Sequence, residues 1–252
     1  MKLRIVAFAL AAMACAQPRP SFEVASIKPS NSTDRRMMFN IQPGRFTAGN
    51  VTVKRLIEVA YGVNYYQVSG GPSWIASDLF DLTAKPETSA KFDQIQLMLQ
   101  SMLAERFQLV IRRETREMPV YALVIAKTGP KFKDASESAQ PVFTIRRGLL
   151  VAPRGNMAAL ITQLSRILGR TVIDKTGLTG NYDLKLEWMP DENQVANFQT
   201  MNVPEGFGAP TPDPLGVSLF TALQEQLGLR LDSQKGPVEI FVIERVEKPT
   251  EN

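Results

Sequence analysis

The sequence predicts an α+β fold built from two tandem copies of a β-α-β-β-α-β-β unit, each a small mixed sheet covered by two helices, with one extra N-terminal edge strand. Three observations predict it. Apolar residues recur at helical spacing in two matching stretches, alternating segments typical of half-buried strands follow each stretch, and both halves share landmarks in the same order. We expect residues 17–130 to form the first copy, residues 131–141 a linker, and residues 142–252 the second copy.

The N-terminus predicts an export signal. A short basic segment precedes an apolar core at residues 5–13 that is too short to span a bilayer, and small residues follow up to Ala16. We expect cleavage near Ala16, which makes residues 1–16 a signal peptide and the mature protein periplasmic or secreted. A lipid anchor on Cys15 is the alternative, and it is not favoured because Met13 is a poor residue for a lipoprotein signal.

Each copy is expected to open with strand and helix in a fixed order. Residues 22–27 alternate apolar and polar and should add the N-terminal edge strand. Apolar residues at i, i+3, i+4 and i+7 predict a helix over 53–61 that ends at Gly62. The same spacing predicts a helix over 157–168, with Gly169 in the C-cap position, where glycine tolerates a left-handed backbone.

The remaining elements repeat in both copies. Short strands at 66–68 and 171–173 each precede a glycine-bearing turn, and alternating strands follow at 80–83 and 182–186. A second helix comes next in each copy. Its apolar face consists of Ile95, Leu99, Met102 and Leu103 in the first copy and of Leu219, Phe220, Leu223 and Leu227 in the second.

Each copy is expected to end in a hairpin. The dipeptides at 119–120 and 237–238 are both Pro-Val, and strongly apolar final strands follow at 121–125 and 239–243. These landmarks, with shared Gly-Asn and Leu-x-Glu, indicate a common origin of the two copies.

Composition excludes several function classes. The chain has no histidine and a single cysteine, Cys15, which lies within the signal. It therefore lacks the usual general base of serine and cysteine hydrolases, a thiol nucleophile and the commonest zinc ligands. We expect a non-enzymatic protein without cofactor or metal. A net charge of +4, evenly spread, does not indicate nucleic-acid binding, and no second apolar run reaches membrane length.

A loop insertion at residues 190–214 is the first candidate site. It is rich in proline and glycine and longer than structureless loops usually are, which makes it either functional or a flexible insertion without a specific role. Its apolar residues, which could contact a partner, are Phe198, Met201, Val203 and Phe207.

The second candidate site is the cluster of Asp174, Lys175 and Thr176, where a carboxylate, an amine and a hydroxyl precede Gly177. These groups could hold a ligand. A turn explains them better, because Asp and Thr side chains bind turn backbone and glycine supplies a positive φ. Trp74 and the second tryptophan, Trp188, could be exposed anchors, but apolar neighbours favour core packing.

Three stretches resemble a known family: FEVASIKP at 22–29, VIDKTGLTGNYD at 172–183 and EKPTEN at 247–252. They look like the soil-associated exported proteins found in many paralogous copies in acidobacterial genomes, and the match extends over nearly the whole mature chain. The resemblance implies an extracytoplasmic fold and supplies no catalytic residues. The predicted element order is also similar to the short N-terminal domain of secretins and of signal-transducing TonB-dependent receptors, which implies binding to other proteins.

Three hypotheses for function follow. The leading one is an exported, non-catalytic binding module that recognises an envelope protein through a sheet edge or the insertion. A sensor or accessory ectodomain for a membrane peptidase or receptor is the second. A histidine-free hydrolase using carboxylates such as Asp174, Asp183 or Glu187 is the third, although no carboxylate pair stands out by spacing.

Overall fold

The computed structural model describes residues 20–32, 36–42, 44–200 and 216–249. These residues form six helices and twelve strands, and the strands make three four-stranded sheets. The α+β prediction is confirmed.

The N-terminal half, up to residue 130, alternates strands with three helices. A 3-10 turn, Tyr65–Gln67, follows the first helix. The elements are β1 (Val24–Pro29), β2 (Met38–Gln42), β3 (Arg45–Thr52), α1 (Val53–Tyr61), β4 (Val68–Gly70), α2 (Trp74–Ser77), β5 (Leu79–Lys85), α3 (Phe92–Arg106) and β6 (Val110–Ile125).

The C-terminal half begins within the predicted linker, where two residues form a short strand. A π-helical turn, Leu223–Leu227, precedes the last strand. The elements are β7 (Lys133–Asp134), β8 (Thr144–Arg146), β9 (Leu149–Gly155), α4 (Met157–Leu168), β10 (Val172–Asp174), β11 (Tyr182–Glu187), α5 (Glu192–Thr200), α6 (Leu219–Ala222) and β12 (Leu229–Arg245).

Each half has a sheet of its own, and a third sheet is shared. The N-terminal sheet has the order β1-β5-β3-β2, so the predicted edge strand is confirmed at its edge, and the C-terminal sheet has the order β7-β11-β9-β8. The shared sheet has the order β10-β6-β12-β4. Its long strands β6 and β12 pair antiparallel, and each takes a short parallel strand from the other half. The halves are therefore joined by backbone hydrogen bonds as well as by side chains.

The predicted closing hairpins are wrong, because β6 and β12 are each one continuous strand. Pro119 pairs with Lys235 and Pro237 with Glu117 in the same ladder. Two residues after Pro119, the Tyr121 N–H donates to the Thr171 carbonyl on the β10 side at 2.9 Å. By the alternation of the ladder, both prolines direct their nitrogen away from the partner long strand, so neither interrupts the β6–β12 hydrogen bonds.

The first helix predicted in each copy is confirmed as α1 and α4, and the ends of both follow from local chemistry. The Thr52 hydroxyl accepts from the Arg55 backbone N–H at the start of α1, and the Asn156 amide oxygen accepts from the Ala159 N–H at the start of α4. Both helices end at a glycine, Gly62 and its counterpart after α4, with φ of 64° and 61°.

Each half has a large apolar core, and a third, smaller cluster of Val120, Val238 and Ile240 lies on the shared sheet. Removing these side chains from water is the main stabilising contribution to each half. Fully buried members of the first core are Phe46, Leu56, Leu99 and Phe107, and those of the second are Leu150, Leu160, Leu164 and Leu184.

The predicted loop insertion begins with a helix. Residues 192–200 form α5, whose first turn is capped because the Asp191 carboxylate accepts from the Gln194 backbone N–H at 2.8 Å. The helix is short and mostly polar, so apolar spacing did not predict it. The rest of the insertion, residues 201–214, lies outside the described residues.

Candidate functional site

A cleft of about 270 Å³ lies where the two halves meet, between α1 and α4. One wall is α1 with the chain that follows it, another is the start of α3, and the third is the exposed side of α4. Its lining residues are Arg55, Glu58, Val59, Gly62, Val63, Asn64, Tyr65, Tyr66, Phe92, Gln96, Thr162 and Arg166.

Arg55 lies on α1, where its guanidinium contacts Glu58 and the Phe39 ring. Its Nη1 donates to the Glu58 Oε2 at 2.6 Å, three residues along the helix, and its guanidinium carbon lies 5.9 Å from the Phe39 ring centroid. The Glu58 side chain is only 9% exposed. The Arg55 Nε is buried and has no hydrogen-bond acceptor among the described residues. A buried donor without an acceptor costs free energy that a ligand can recover.

Arg166 lies on α4 and contributes a second positive charge to the cleft. Burial lowers the pKa of its guanidinium, the charge of Arg55 lowers that pKa further, and the Glu58 carboxylate raises it. No hydrogen bond or ion pair joins this guanidinium to another of the described residues. The cleft therefore holds two guanidinium groups and one carboxylate, so one positive charge has no acidic partner among the described residues.

Aromatic side chains line the cleft beyond α1 and form its rim. The Tyr66 hydroxyl accepts from Asn64 Nδ2 at 3.1 Å and from the Thr171 hydroxyl at 3.3 Å, and burial raises the pKa of this phenol. Tyr65 packs edge-on against Tyr66 with centroids 5.6 Å apart. At the rim, Tyr65 is 44% exposed and Phe92 50% exposed. The cleft thus presents apolar surface beside its positive charge.

Hydrogen bonds from α3 fix the α1 side of the cleft. Gln96 Nε2 donates to the Val59 carbonyl and Gln100 Nε2 to the Ala60 carbonyl, both at 2.8 Å. These carbonyls belong to the last turn of α1, where intrahelical donors run out. On the α4 side, a Cβ at Gly169 would lie 2.8 Å from the Tyr65 hydroxyl oxygen, so glycine allows the two halves to approach here.

The cluster at residues 174–176 is a turn. The Asp174 Oδ1 accepts from the Thr176 backbone N–H at 2.8 Å and from the Thr176 hydroxyl at 2.7 Å, while Gly177 has a φ of 71°. The Lys175 backbone N–H donates to the Leu123 carbonyl. These bonds support the turn interpretation, and the side chains lie outside the cleft.

The apolar residues of the insertion have separate locations. Phe198 is 3% exposed and its ring centroid lies 6.1 Å from that of Trp188, which is also buried. Its side chain thus has almost no area to offer a partner. Met201, Val203 and Phe207 lie outside the described residues.

The two tryptophans differ in their surroundings. Trp188 Nε1 donates to Gln194 Oε1 at 2.8 Å within the second core, as core packing predicts. Trp74 is half-buried at the edge of the first core, with Lys248 Nζ 5.6 Å from its ring centroid.

Arg55 and Arg166 were not predicted as site residues, although both lie on helices that the sequence predicts. One weak signal was present: Arg55 and Glu58 stand three residues apart beside the apolar face of α1, as Thr162 and Arg166 stand four apart on α4. Helical spacing places each pair on one face, but only the packing of the halves brings the two faces together.

Among the described residues, no group of three or more Asp, Glu, His or Cys side chains could hold a metal ion. In that same part of the chain, no helix has the length and apolar character needed to cross a membrane.

The fold and the cleft define an α+β protein with a cationic pocket between its two halves. The chain belongs to the family described as "Protein of unknown function (DUF3738)", whose model matches residues 54–246. No curated protein and no solved structure matches the chain. The family description assigns no activity.

Proposed function

We propose that the chain is an exported, non-catalytic binding module that recognises a protein partner in the cell envelope through the cleft between α1 and α4. The observation that carries the proposal is the combination of an arginine, Arg166, that has no acceptor among the described residues and an exposed aromatic rim. Tyrosine and arginine are the residue types that most often dominate the binding free energy of protein interfaces, when they lie in a pocket that excludes water.

The cleft is a better candidate than the two surfaces expected from the sequence. In the insertion, Phe198 is already buried in the core. On the open edge of β6, arginines pair with glutamates along the shared sheet, as Arg112 does with Glu114 at 2.5 Å and with Glu244 at 3.0 Å. Such exposed pairs contribute little binding free energy and protect an edge from pairing with other strands.

Export and a common origin of the two halves are parts of the same proposal. The N-terminal segment to Ala16 and the resemblance to soil-associated exported proteins support export to the periplasm or beyond. The exchange of β4 and β10 between halves supports a common origin, because two copies of one unit that swapped a strand would pair in this way. Similarity to the secretin and TonB-receptor domain stays an expectation from element order.

The hydrolase alternative has less support than binding. Of its three carboxylates, Asp174 bonds to its own turn, and Glu187 pairs with Lys185 at 3.0 Å on exposed strand positions. Asp183 is exposed and pairs in the ladder with Lys133 of β7. None of them lines the cleft.

Affinity capture from the cell envelope tests the proposal. Mature wild-type protein, the Arg166→Gln variant and an Arg230→Gln control would be compared for the proteins that they retain after crosslinking. Arg230 is an exposed arginine paired with Asp232 outside the cleft, so the control loses the same charge. We expect wild type and control to retain one protein that Arg166→Gln loses. Equal retention by all three would contradict binding through the cleft.

A further inference from the structure

We propose that the cleft binds a single carboxylate group between Arg55 and Arg166, with an apolar group next to it at Tyr65 and Phe92. The site stands on its own geometry, and only the statement that the partner protein carries this carboxylate rests on the proposed function. Among the described residues, the Arg55 Nε is a buried side-chain donor without an acceptor, and Arg55 lines this cleft.

The charge count selects a monoanion. Two guanidinium groups and the Glu58 carboxylate give the cleft one net positive charge. A carboxylate neutralises that charge, whereas a phosphate dianion adds a second negative charge close to Glu58. Since charges in a partly buried site interact more strongly than in water, the second negative charge is repelled.

The available donors suit a carboxylate. Arg55 uses Nη1 for Glu58 and retains its buried Nε, and the Arg166 guanidinium has no acceptor among the described residues. Guanidinium donors match the two oxygens of a carboxylate in geometry, and such charge-assisted hydrogen bonds are about twice as strong as neutral ones.

The size and rim of the cleft indicate what the carboxylate is attached to. A volume of about 270 Å³ lies below the range of roughly 300–1,000 Å³ usual for small-molecule pockets. It suits one side chain or the end of a peptide chain. Tyr65 and Phe92 at the rim offer apolar surface to the group beside the carboxylate. A C-terminal residue with an aromatic side chain and an acidic side chain within a chain both present this chemistry.

Calorimetric titration with defined probes tests the inference. N-acetylphenylalanine presents a chain-end carboxylate beside an aromatic ring, its amide lacks the charge, and N-acetylaspartyl amide presents a side-chain carboxylate. We expect the free acid to bind wild-type protein at least tenfold more tightly than its amide and than inorganic phosphate. Tighter binding of the acid than of the aspartyl probe indicates a chain end, and the reverse order indicates an acidic side chain. Equal binding of acid and amide, or preferred binding of phosphate, would overturn the inference.

Three variants locate the binding on the structure. Arg166→Gln should weaken binding of the preferred carboxylate at least tenfold, and Glu58→Gln should strengthen it several-fold because the competing carboxylate is removed. Arg230→Gln should leave binding unchanged. Opposite responses of Arg166→Gln and Glu58→Gln require a folded protein in both cases, so general unfolding cannot produce them. Unchanged affinity in both cleft variants would overturn the site.

The two proposals fail in different ways. If no carboxylate probe binds while capture of the envelope protein still depends on Arg166, the carboxylate inference is wrong and the binding module stands. If the probes bind as expected while capture is the same in all variants, the carboxylate site stands and partner binding through the cleft is wrong.

Discussion

The last turns of α1 and α4 both have carbonyls that need hydrogen-bond donors, and different side chains supply those donors. Both helices end at a left-handed glycine, and carbonyls in the last turn of each lack intrahelical donors. On α1 the donors are the Gln96 and Gln100 side chains of α3, whereas on α4 the Asn197 side chain of α5 donates to the Ile167 carbonyl at 2.9 Å. The same backbone requirement is therefore met by an element from a different place in each half.

The connections that follow α1 and α4 also differ, and the longer one forms part of the cleft. After Gly62 the chain makes a 3-10 turn that carries Tyr65 and Tyr66 toward α4, whereas after Gly169 it enters β10 within three residues. The two aromatic residues have no equivalent at that point of the C-terminal half. A similar pair of helices thus yields one pocket, on the side where the longer connection lies.

The largest expected effect concerns the cooperativity of the two halves. Leu99→Ala in the first core and Leu164→Ala in the second should each cost about 2–5 kcal/mol of unfolding free energy, because both side chains are fully buried. Since the shared sheet pairs strands of both halves, we expect each variant to shift one common transition. In a variant whose only tryptophan is Trp188, which lies in the second core, fluorescence should therefore report the shift in unfolding that Leu99→Ala causes in the first core. Two separate transitions would show that the halves unfold independently.

The turns before β6 and β12 give the next effect. Gln108 and Gly228 both adopt a positive φ, 51° and 63°, but a Cβ at Gly228 would lie 1.9 Å from the Gly129 carbonyl oxygen. Gly228→Ala should destabilise the protein by about 3 kcal/mol or more in urea denaturation. Gly177→Ala is the matched control, with a φ of 71° and open space around it. It should cost about 1 kcal/mol, since only backbone strain is added. Similar losses in both variants would contradict the steric explanation.

The smallest expected effect is a loss of stability at alkaline pH. Burial raises the pKa of Tyr66 above the value of about 10 that an unfolded tyrosine has. Above pH 10 the unfolded chain therefore binds fewer protons than the folded protein, and the unfolding free energy falls as the pH rises toward the folded pKa. Thermal unfolding between pH 9 and about pH 11 should show this decline in wild type, and Tyr66→Phe should reduce it. An unchanged decline in the variant would assign the effect to other groups.

Local chemistry explains how much of the fold could be predicted from the sequence. The bounds of α1 and α4 follow from apolar spacing and capping residues, and β5 and β11 follow from alternation within a few residues. The pairing of β4 with β12 could not be predicted, because residues 68 and 241 meet only through the packing of both halves. The prolines at 119 and 237 suggested hairpins since their open ladder position is not visible in the sequence.

The candidate site was less predictable than the fold. Arg55 and Arg166 belong to helices predicted separately, and their placement in one cleft depends on the packing of the two halves and on the turn that carries Tyr65. The apolar residue Phe198 was expected to contact a partner because the sequence did not predict the helix α5 on which it lies. Val195 and Phe198 stand three residues apart on this short helix. The helix packs on α4, and this packing buries the Phe198 side chain.

Site-specific photocrosslinking tests the central claim, that a partner binds in the cleft between the halves. A photoreactive residue at Thr162, exposed on the cleft wall, would be compared in living cells with one at Ser233, exposed on the shared sheet. We expect one envelope protein to be crosslinked from position 162 and not from position 233, and Arg166→Gln to abolish that product. A product from position 233 alone, or one from position 162 that persists in Arg166→Gln, would contradict the account.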